Sequence, residues 1–289
     1  MINNTCDGSP RAPFLRCDIN TGNLFNLPPY SSGPKGDERA VLQAVKAAGF
    51  SGVQGGSLTL CRELELGCTS GGRVNKIGEA DAFAAKNADL GYDCATLHVA
   101  WGLEDDMEVF ALVEDILKAS ERRKFPLYIE THRATITQDI WRTVQLTRRF
   151  PEVRFNGDFS HWYTGCELVY GDLESKLAFM APVFERVRFI HGRIGNPGCM
   201  QVDIGDGKDR TYVDHFKEMW IRSFRGFLKS AKPGDYICFT PELLPPNIYY
   251  ARVIKNTQGE DIEECDRWQQ ALLYKELAKE CFERAKKAI

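Results

Sequence analysis

The chain is predicted to fold as a closed (β/α)8 barrel, and three observations point there. Short apolar runs of strand length alternate with helical patterns along all 289 residues. Eight such runs occur, several of them apolar without clean alternation, as strands covered on both faces require. No low-complexity linker or break in composition divides the chain, so residues 1–289 read as a single domain. Strand alternating with helix means a parallel sheet with crossover helices. Eight strands in one domain of this size favour closure over an open doubly wound sheet. The open sheet usually carries a Gly-rich turn after its first strand, and no G-x-G-x-x-G occurs here.

In chain order the elements read as follows. "FLRCDI" (14–19) is the first strand. Residues 37–48 begin with an acidic turn and end before Gly49, as a helix does. "GVQGG" (52–56) and "GRVN" (72–75) are the next two strands. A helix over 79–90 ends before Gly91 and leads to "CATLHVA" (94–100). Residues 105–123 place Val109, Leu112, Val113, Ile116 and Leu117 on one helical face. "PLYIE" (126–130) is followed by a helix over 137–149 carrying Ile140, Trp141, Val144 and Leu146. "VRFNGD" (153–158), "VRFIH" (187–191) and "YICFTPE" (236–242) complete the strands. Further helices are predicted over 171–182, 211–230 and 261–287. The Gly-rich segment 192–210 is either a lid over one end of the barrel or a long loop.

Composition excludes several classes. Hydrophobic residues make up 43% and charged residues 27%, ordinary for a soluble globular chain. A net charge of -3 offers no footprint for nucleic acid or an anionic membrane. No apolar run approaches the ~18 residues a bilayer span needs. The polar start MINNTCDGSP lacks the features of a signal peptide. Ten cysteines without any C-x-x-C argue against a cysteine zinc site or a thioredoxin-type pair. Cys61, Cys94, Cys238 and Cys281 sit in apolar segments and read as buried thiols of a cytoplasmic protein, while a Cys6–Cys17 pair stays open.

The chemistry lies in how the last four strands end. The fifth ends in Glu130 ("YIETHR"), the sixth in Asp158 ("FNGDFSHW"), the seventh in His191 ("RFIHGRIG") and the eighth in Glu242 ("CFTPELLPP"). In a parallel barrel all these ends meet at one rim, where active sites are built. A strand-end glutamate is by itself an ordinary rim residue, and a lone histidine after an apolar run an ordinary core residue. Four metal-type residues at the same place on four successive strands are another matter. Three carboxylates would repel one another, and a divalent cation removes the conflict. Oxygen ligands with one imidazole suit Mn²⁺, Mg²⁺ or Co²⁺, with Zn²⁺ or Fe²⁺ as further options.

These motifs carry a resemblance. "YIETHR", "GDFSHW" and "FIHGRIG" resemble the xylose-isomerase-like TIM-barrel superfamily, and within it the sugar phosphate isomerase/epimerase-like proteins, over most of residues 14–250. The resemblance implies one divalent metal ion held by Glu130, Asp158, His191 and Glu242. It implies that His161 and Arg193 reach the substrate, and that Glu130 and Glu242 also move protons at carbon. The substrate would be a small carbohydrate or keto-polyol. Barrels of this kind often pair through their helices, so a homo-oligomer is compatible with the reading.

Strand logic adds His98, near the end of the fourth strand, as a substrate contact or an inner hydrogen-bonding group. His132 and Arg133 follow Glu130 and are expected to support rather than bind, because adjacent strand positions face opposite ways. Trp101 and Trp162 either line the apolar face of a sugar or fill the core rim. His215 falls on a helix and reads as structural or as part of an interface. Three other functions compete. A lyase or dehydratase would use the same site to expel a β-leaving group. A type IV-like endonuclease needs more than the five histidines present and a more basic surface. The third is a barrel that binds a sugar or a metal without catalysis, against which the intact candidate ligands argue.

Overall fold

The computed structural model describes residues 2–288. Eight parallel strands form the barrel: β1 (Phe14–Asn20), β2 (Gly52–Gln54), β3 (Gly67–Val74), β4 (Ala95–Val99), β5 (Leu127–Glu130), β6 (Phe155–Asn156), β7 (Val187–Gly192) and β8 (Asp235–Pro241). Each pairs with the next, and β8 returns to pair with β1, so the sheet closes. A two-residue strand, Thr5–Cys6, adds antiparallel to the start of β8.

The crossovers are helical. α1 (Glu38–Ala47), α2 (Leu58–Glu63), α3 (Glu79–Leu90), α4 (Asp106–Arg123) and α5 (Ile140–Arg149) follow the first five strands in turn. α6 (Ser160–Gly165) and α7 (Leu173–Phe184) follow β6, α8 (Thr211–Leu228) follows β7, and α9 (Arg267–Lys286) follows β8. Local chemistry sets the boundaries. The Asp37 side chain accepts from Ala40 N at the start of α1. Asp105 and Glu108 form a capping box at the start of α4. Gly91, at φ 83°, ends α3 in the left-handed conformation that glycine adopts without strain. No helix of the described residues is long and apolar enough to cross a membrane.

Period-2 alternation divides β1 between two environments. Cys17 and Ile19 face outward and pack with Leu42 and Val45 of α1. Arg16 and Asp18 face into the barrel, where the Arg16 guanidinium donates to Asp18 (Nε 2.9 Å, Nη2 2.7 Å), to Asp93 (2.7 Å) and to the Tyr236 hydroxyl (2.9 Å). Room for this pair comes from two glycines on neighbouring strands. A Cβ on Gly52 would collide with the Asp18 carboxylate, and one on Gly67 with the Arg16 guanidinium. The large apolar core lies between strands and helices, with Leu97, Val99, Ile129, Ile237 and Phe239 facing Val113, Ile116, Phe216 and Trp220. Each such fully buried side chain contributes roughly 1.5–3 kcal/mol.

The structure moves some predicted boundaries. β3 begins at Gly67, well before the expected 72–75, because its small residues (GCTSGGRV) are strand residues made small by crowded neighbours. β6 forms ladder only at Phe155–Asn156, where its register against β7 slips: Phe155 partners Val187 and Asn156 partners Phe189. The last helix starts at Arg267, capped by Asp266. The expected first turn, Asp261–Glu263, instead forms an antiparallel hairpin with Val253–Lys255. α2 and α6 were not expected, being too short to show a period. All ten cysteines are unpaired; Cys6 is exposed and Cys17 buried, so no bridge joins them.

Candidate metal centre

The four strand-end residues converge at the C-terminal mouth. Glu130 is the last residue of β5, His191 the penultimate residue of β7, and Glu242 directly follows β8. Asp158 lies two residues beyond β6, carried there through Gly157, whose N–H donates to Phe189 O at 2.8 Å. One ligand atom from each of Glu130, Asp158, His191 and Glu242 lies within 4.8 Å of all the others. His191 Nδ1 is 3.3 Å from Glu130 Oε2 and 3.4 Å from Glu242 Oε2. Arg193 Nη2 donates to Asp158 Oδ2 at 2.6 Å and also to Glu242 Oε2. Asp158 Oδ1 accepts from Ser160 N (3.1 Å) and Oγ (2.6 Å) at the start of α6.

Three amide side chains, not singled out from the sequence, hold this cluster. Asn156 Oδ1 accepts from the His191 backbone N–H at 3.0 Å, which turns its Nδ2 toward Glu130 Oε2 and His191 Nδ1, both at 3.0 Å. Gln54 Oε1 accepts from His191 Nε2 at 2.8 Å and from Asn20 Nδ2 at 3.0 Å. Asn20 Nδ2 also donates to Glu242 Oε1 at 2.9 Å. This frame places the imidazole proton on Nε2 and leaves a lone pair on Nδ1, aimed between two carboxylates.

The charges press against that frame. Burial pulls the His191 imidazole down, yet the facing carboxylates of Glu242 and Glu130 outweigh it and push it up to about 9. Burial also works against Glu130, but His191 and His98 hold its carboxyl well below the usual range. At Asp158 burial is overcome by Arg193 and His161, and the carboxyl is held low. At Glu242 burial prevails over His191 and Arg193, and the carboxyl lies above its ordinary value. The carboxylates thus call for a positive charge at the point where Asn156 calls for a lone pair. A divalent cation meets both demands, so the residues present fit the metal that the strand ends imply.

The other predicted residues distribute unevenly. His98 Nε2 lies 3.3 Å from Glu130 Oε1 at the mouth. His132, expected only to support, stacks between His98 and His161, with ring centroids 4.1 and 3.8 Å away. The chain leaves the strand at Glu130, so strand alternation no longer decides where His132 points. Burial, with His161 adding to it, lowers the His132 imidazole to about 3. His161 Nε2 is 3.4 Å from Asp158 Oδ2, and Arg193 touches two of the four cluster residues, but their side chains are only 0% and 1% exposed. Tyr250 covers them: its ring lies 4.4 Å from the Arg193 guanidinium and edge-on to His161, and its hydroxyl is 3.3 Å from His132 Nε2. Arg133 reaches the same ring at 5.2 Å. Trp162 is buried, its indole N–H on Thr137 O at 2.8 Å, and fills the core. Trp101 is 54% exposed. His215 bonds the Tyr163 hydroxyl at 2.8 Å, on α8. Of the segment 192–210, Val202 and Ile204 are buried in the core, whereas Asp206 and Lys208 are exposed.

Beside the cluster lies a cavity of about 450 Å³, lined by Glu130, His191 and Glu242 and also by Gly71, Arg73 and His98. Its size suits a molecule of a few to a dozen heavy atoms.

No protein-family model and no curated protein matches the chain. Solved structures do. A probable 3-DHS dehydratase, AsbF, from Bacillus anthracis is similar over 81% of this chain and 94% of its own, at 13% identity and a TM-score of 0.53. A xylose isomerase-like TIM barrel protein from Mycobacterium smegmatis, in complex with magnesium, is similar over 95% and 98%, at 10% identity and a TM-score of 0.52. A sugar phosphate isomerase/epimerase from Parabacteroides distasonis is similar over 80% and 92%, at 13% identity and a TM-score of 0.51. At these identities the likeness is one of fold. The architecture shared with these structures is the (β/α)8 barrel.

Proposed function

We propose that this protein is a divalent-metal-dependent isomerase or epimerase that moves a proton on a carbon next to the carbonyl of a small carbohydrate or keto-polyol. The observation that carries the reading is the convergence of Glu130, Asp158, His191 and Glu242 on one point beside a cavity of sugar size. These four would hold the ion, with Mn²⁺, Mg²⁺ or Co²⁺ matching the oxygen-rich set. When bound, the ion polarises the substrate carbonyl and lowers the cost of the enediolate.

The chain's own residues do the rest. Glu130 and Glu242 stand on either side of His191 and both wall the cavity, so one can take a proton from carbon while the other returns one. Asn156 and Gln54 fix the imidazole between them. His98 bonds Glu130 and keeps it ionised as a base. Arg193 and His161 balance the Asp158 charge and, with Tyr250 across them, are the residues that the resemblance directs to a substrate oxygen. Ten unpaired cysteines accord with a reducing, cytoplasmic setting.

The same pair of carboxylates supports a second reading, β-elimination, and one of the similar structures is described as a dehydratase. One experiment separates the two and tests both. Protein stripped by chelator and refilled with Mn²⁺ should bind about one equivalent. It should then exchange the C–H beside the carbonyl of a ketose, aldose or keto-polyol with solvent deuterium. An epimer as product supports the isomerase, and loss of water supports the lyase. Unchanged metal content in Asp158→Asn and His191→Ala proteins would sink the centre itself.

A further inference from the structure

We infer that Arg73 is the residue that selects the substrate, and that it does so by pairing with a carboxylate group at the end away from the metal cluster. The inference rests on the proposed function in placing the reacting carbon near Glu130 and Glu242. Arg73 sits on β3 two residues after Gly71 and four after Thr69, on the face that points into the barrel. It lines the same cavity as Glu130, His191 and Glu242, with the His98 ring standing between it and Glu130. Gly71 keeps the cavity open: a Cβ there would stand 3.3 Å from Thr96 Oγ1 and 3.7 Å from Gln54 Nε2.

The guanidinium is held but not neutralised. It lies over the Trp101 ring, 4.1 Å from the centroid. Nη1 donates to Ala100 O, and Nη2 is 3.5 Å from His98 Nδ1. Ala100 adopts φ 51° at the end of β4, a conformation alanine rarely takes, and this turn sets both its carbonyl and Trp101 against Arg73. Among the described residues no carboxylate pairs with Arg73. Glu104, on the loop that follows Ala100, spends its oxygens on the N–H groups of Trp101, Gly102 and Leu103. Glu130 is engaged by His98, His191 and Asn156. The other mouth arginines are not in this position: Arg193 is buried between Asp158 and Glu242, and Arg133 rests on Tyr250.

An arginine fixed on an aromatic platform, lacking an acid and facing a cavity, presents a planar fork that matches a carboxylate with two parallel bonds. A phosphate would seek several backbone N–H groups at a helix start. The helix start after β3 is already closed: Glu79 Oε2 accepts from Asn75 N (2.7 Å) and Lys76 N (3.0 Å). The substrate class is therefore a sugar acid or a carboxylated keto-polyol.

The test is calorimetric titration of Mn²⁺-loaded protein with a neutral aldose, its uronate and its terminal phosphate ester (glucose, glucuronate and glucose phosphate), beside acetate as the bare carboxylate. Glucuronate should bind at least about 10-fold tighter than glucose, the worth of one charge-assisted hydrogen bond, and Arg73→Met should bring the ratio to within about 2-fold. Acetate should change Trp101 emission, read against Trp101→Phe, in wild-type protein and not in Arg73→Met. Mn²⁺ stoichiometry should be the same in both. Tighter binding of the phosphate ester than of the uronate overturns the carboxylate. A response to no probe, or equal responses in wild type and Arg73→Met, overturns the role of Arg73. Failure of wild-type protein to hold Mn²⁺ would overturn the metal centre instead. The acetate measurement, repeated without metal, would still decide for or against Arg73.

Discussion

The two ends of the barrel bury similar ionic groups and treat them in opposite ways. At the N-terminal end, Arg16 directs Nε, Nη1 and Nη2 onto Asp18, Asp93 and Tyr236, and two strand positions are reduced to glycine so that the pair fits. At the C-terminal mouth, three carboxylates share one small volume. Buried Arg193 Nε and Nη1 find no partner in the protein, and neither ring nitrogen of buried His161 makes a hydrogen bond. A satisfied buried ion pair fixes a geometry; an unsatisfied one is ready to meet something else. The comparison separates residues kept for stability from residues kept for chemistry, even along one strand: β1 carries Arg16 and Asp18 at one end and Asn20, bonded to Glu242, at the other.

The sharpest way to break this division is to mutate each end and measure both properties. The largest effect is expected at the mouth. Glu130→Gln retains size and one oxygen but loses the proposed base, so turnover should fall by about 10²–10⁴-fold. The thermal midpoint should change little; a collapse in stability would show Glu130 to be structural. Next comes the floor. Arg16→Met strands Asp18 and should cost about 3–5 kcal/mol in denaturant unfolding. The folded fraction should bind Mn²⁺ with unchanged stoichiometry, and altered stoichiometry would erase the distinction between the ends. Gly67→Ala drives a methyl into the Arg16 guanidinium and should cost about 1–3 kcal/mol, again with no effect on metal.

Smaller effects sharpen the comparison at the mouth. Glu242 titrates above its ordinary value because burial outweighs its cationic neighbours, so its charge opposes folding at neutral pH. Glu242→Gln should leave the metal-free protein as stable or more stable, by up to about 1 kcal/mol, while weakening Mn²⁺ binding. A loss of stability in chelator would count against this account. The pH dependence follows from His191, held up to about 9 against an ordinary value of 6.5. A raised imidazole stabilises fully below about 6.5 and loses that contribution as pH rises through about 9. The midpoint of chelator-treated wild type should therefore fall across that window relative to His191→Ala, and a rise would reverse the assignment.

Much of this was legible in the sequence because it rests on local pattern. The strands at the four candidate ligand positions are apolar runs that stop at a charged or imidazole residue, and the barrel brings such stops together. The supporting amides were not legible. Asn20, Gln54 and Asn156 read as indifferent strand residues, and their value appears only when they face His191 and Glu242 from other strands. The floor was half legible: Arg16 and Asp18 share an inward face at i, i+2, but their partners Asp93 and Tyr236 lie 77 and 220 residues from Arg16. Only the end of β3 was legible, as "GRVN" (72–75), because the small residues before it answer to neighbours rather than to strand propensity. Tyr250 gave no signal, since only the tertiary fold lays it across Arg193 and His161.

The position of Arg193 bears on how such a protein is made in a cell. Many small metalloproteins cannot fold until their ion arrives, because the bare ligands repel one another. Here a resident guanidinium stands between Asp158 and Glu242 as a placeholder. The nascent chain would thus not need an ion to offset the repulsion between these two carboxylates. An ion entering the proposed centre would meet a cation already in place.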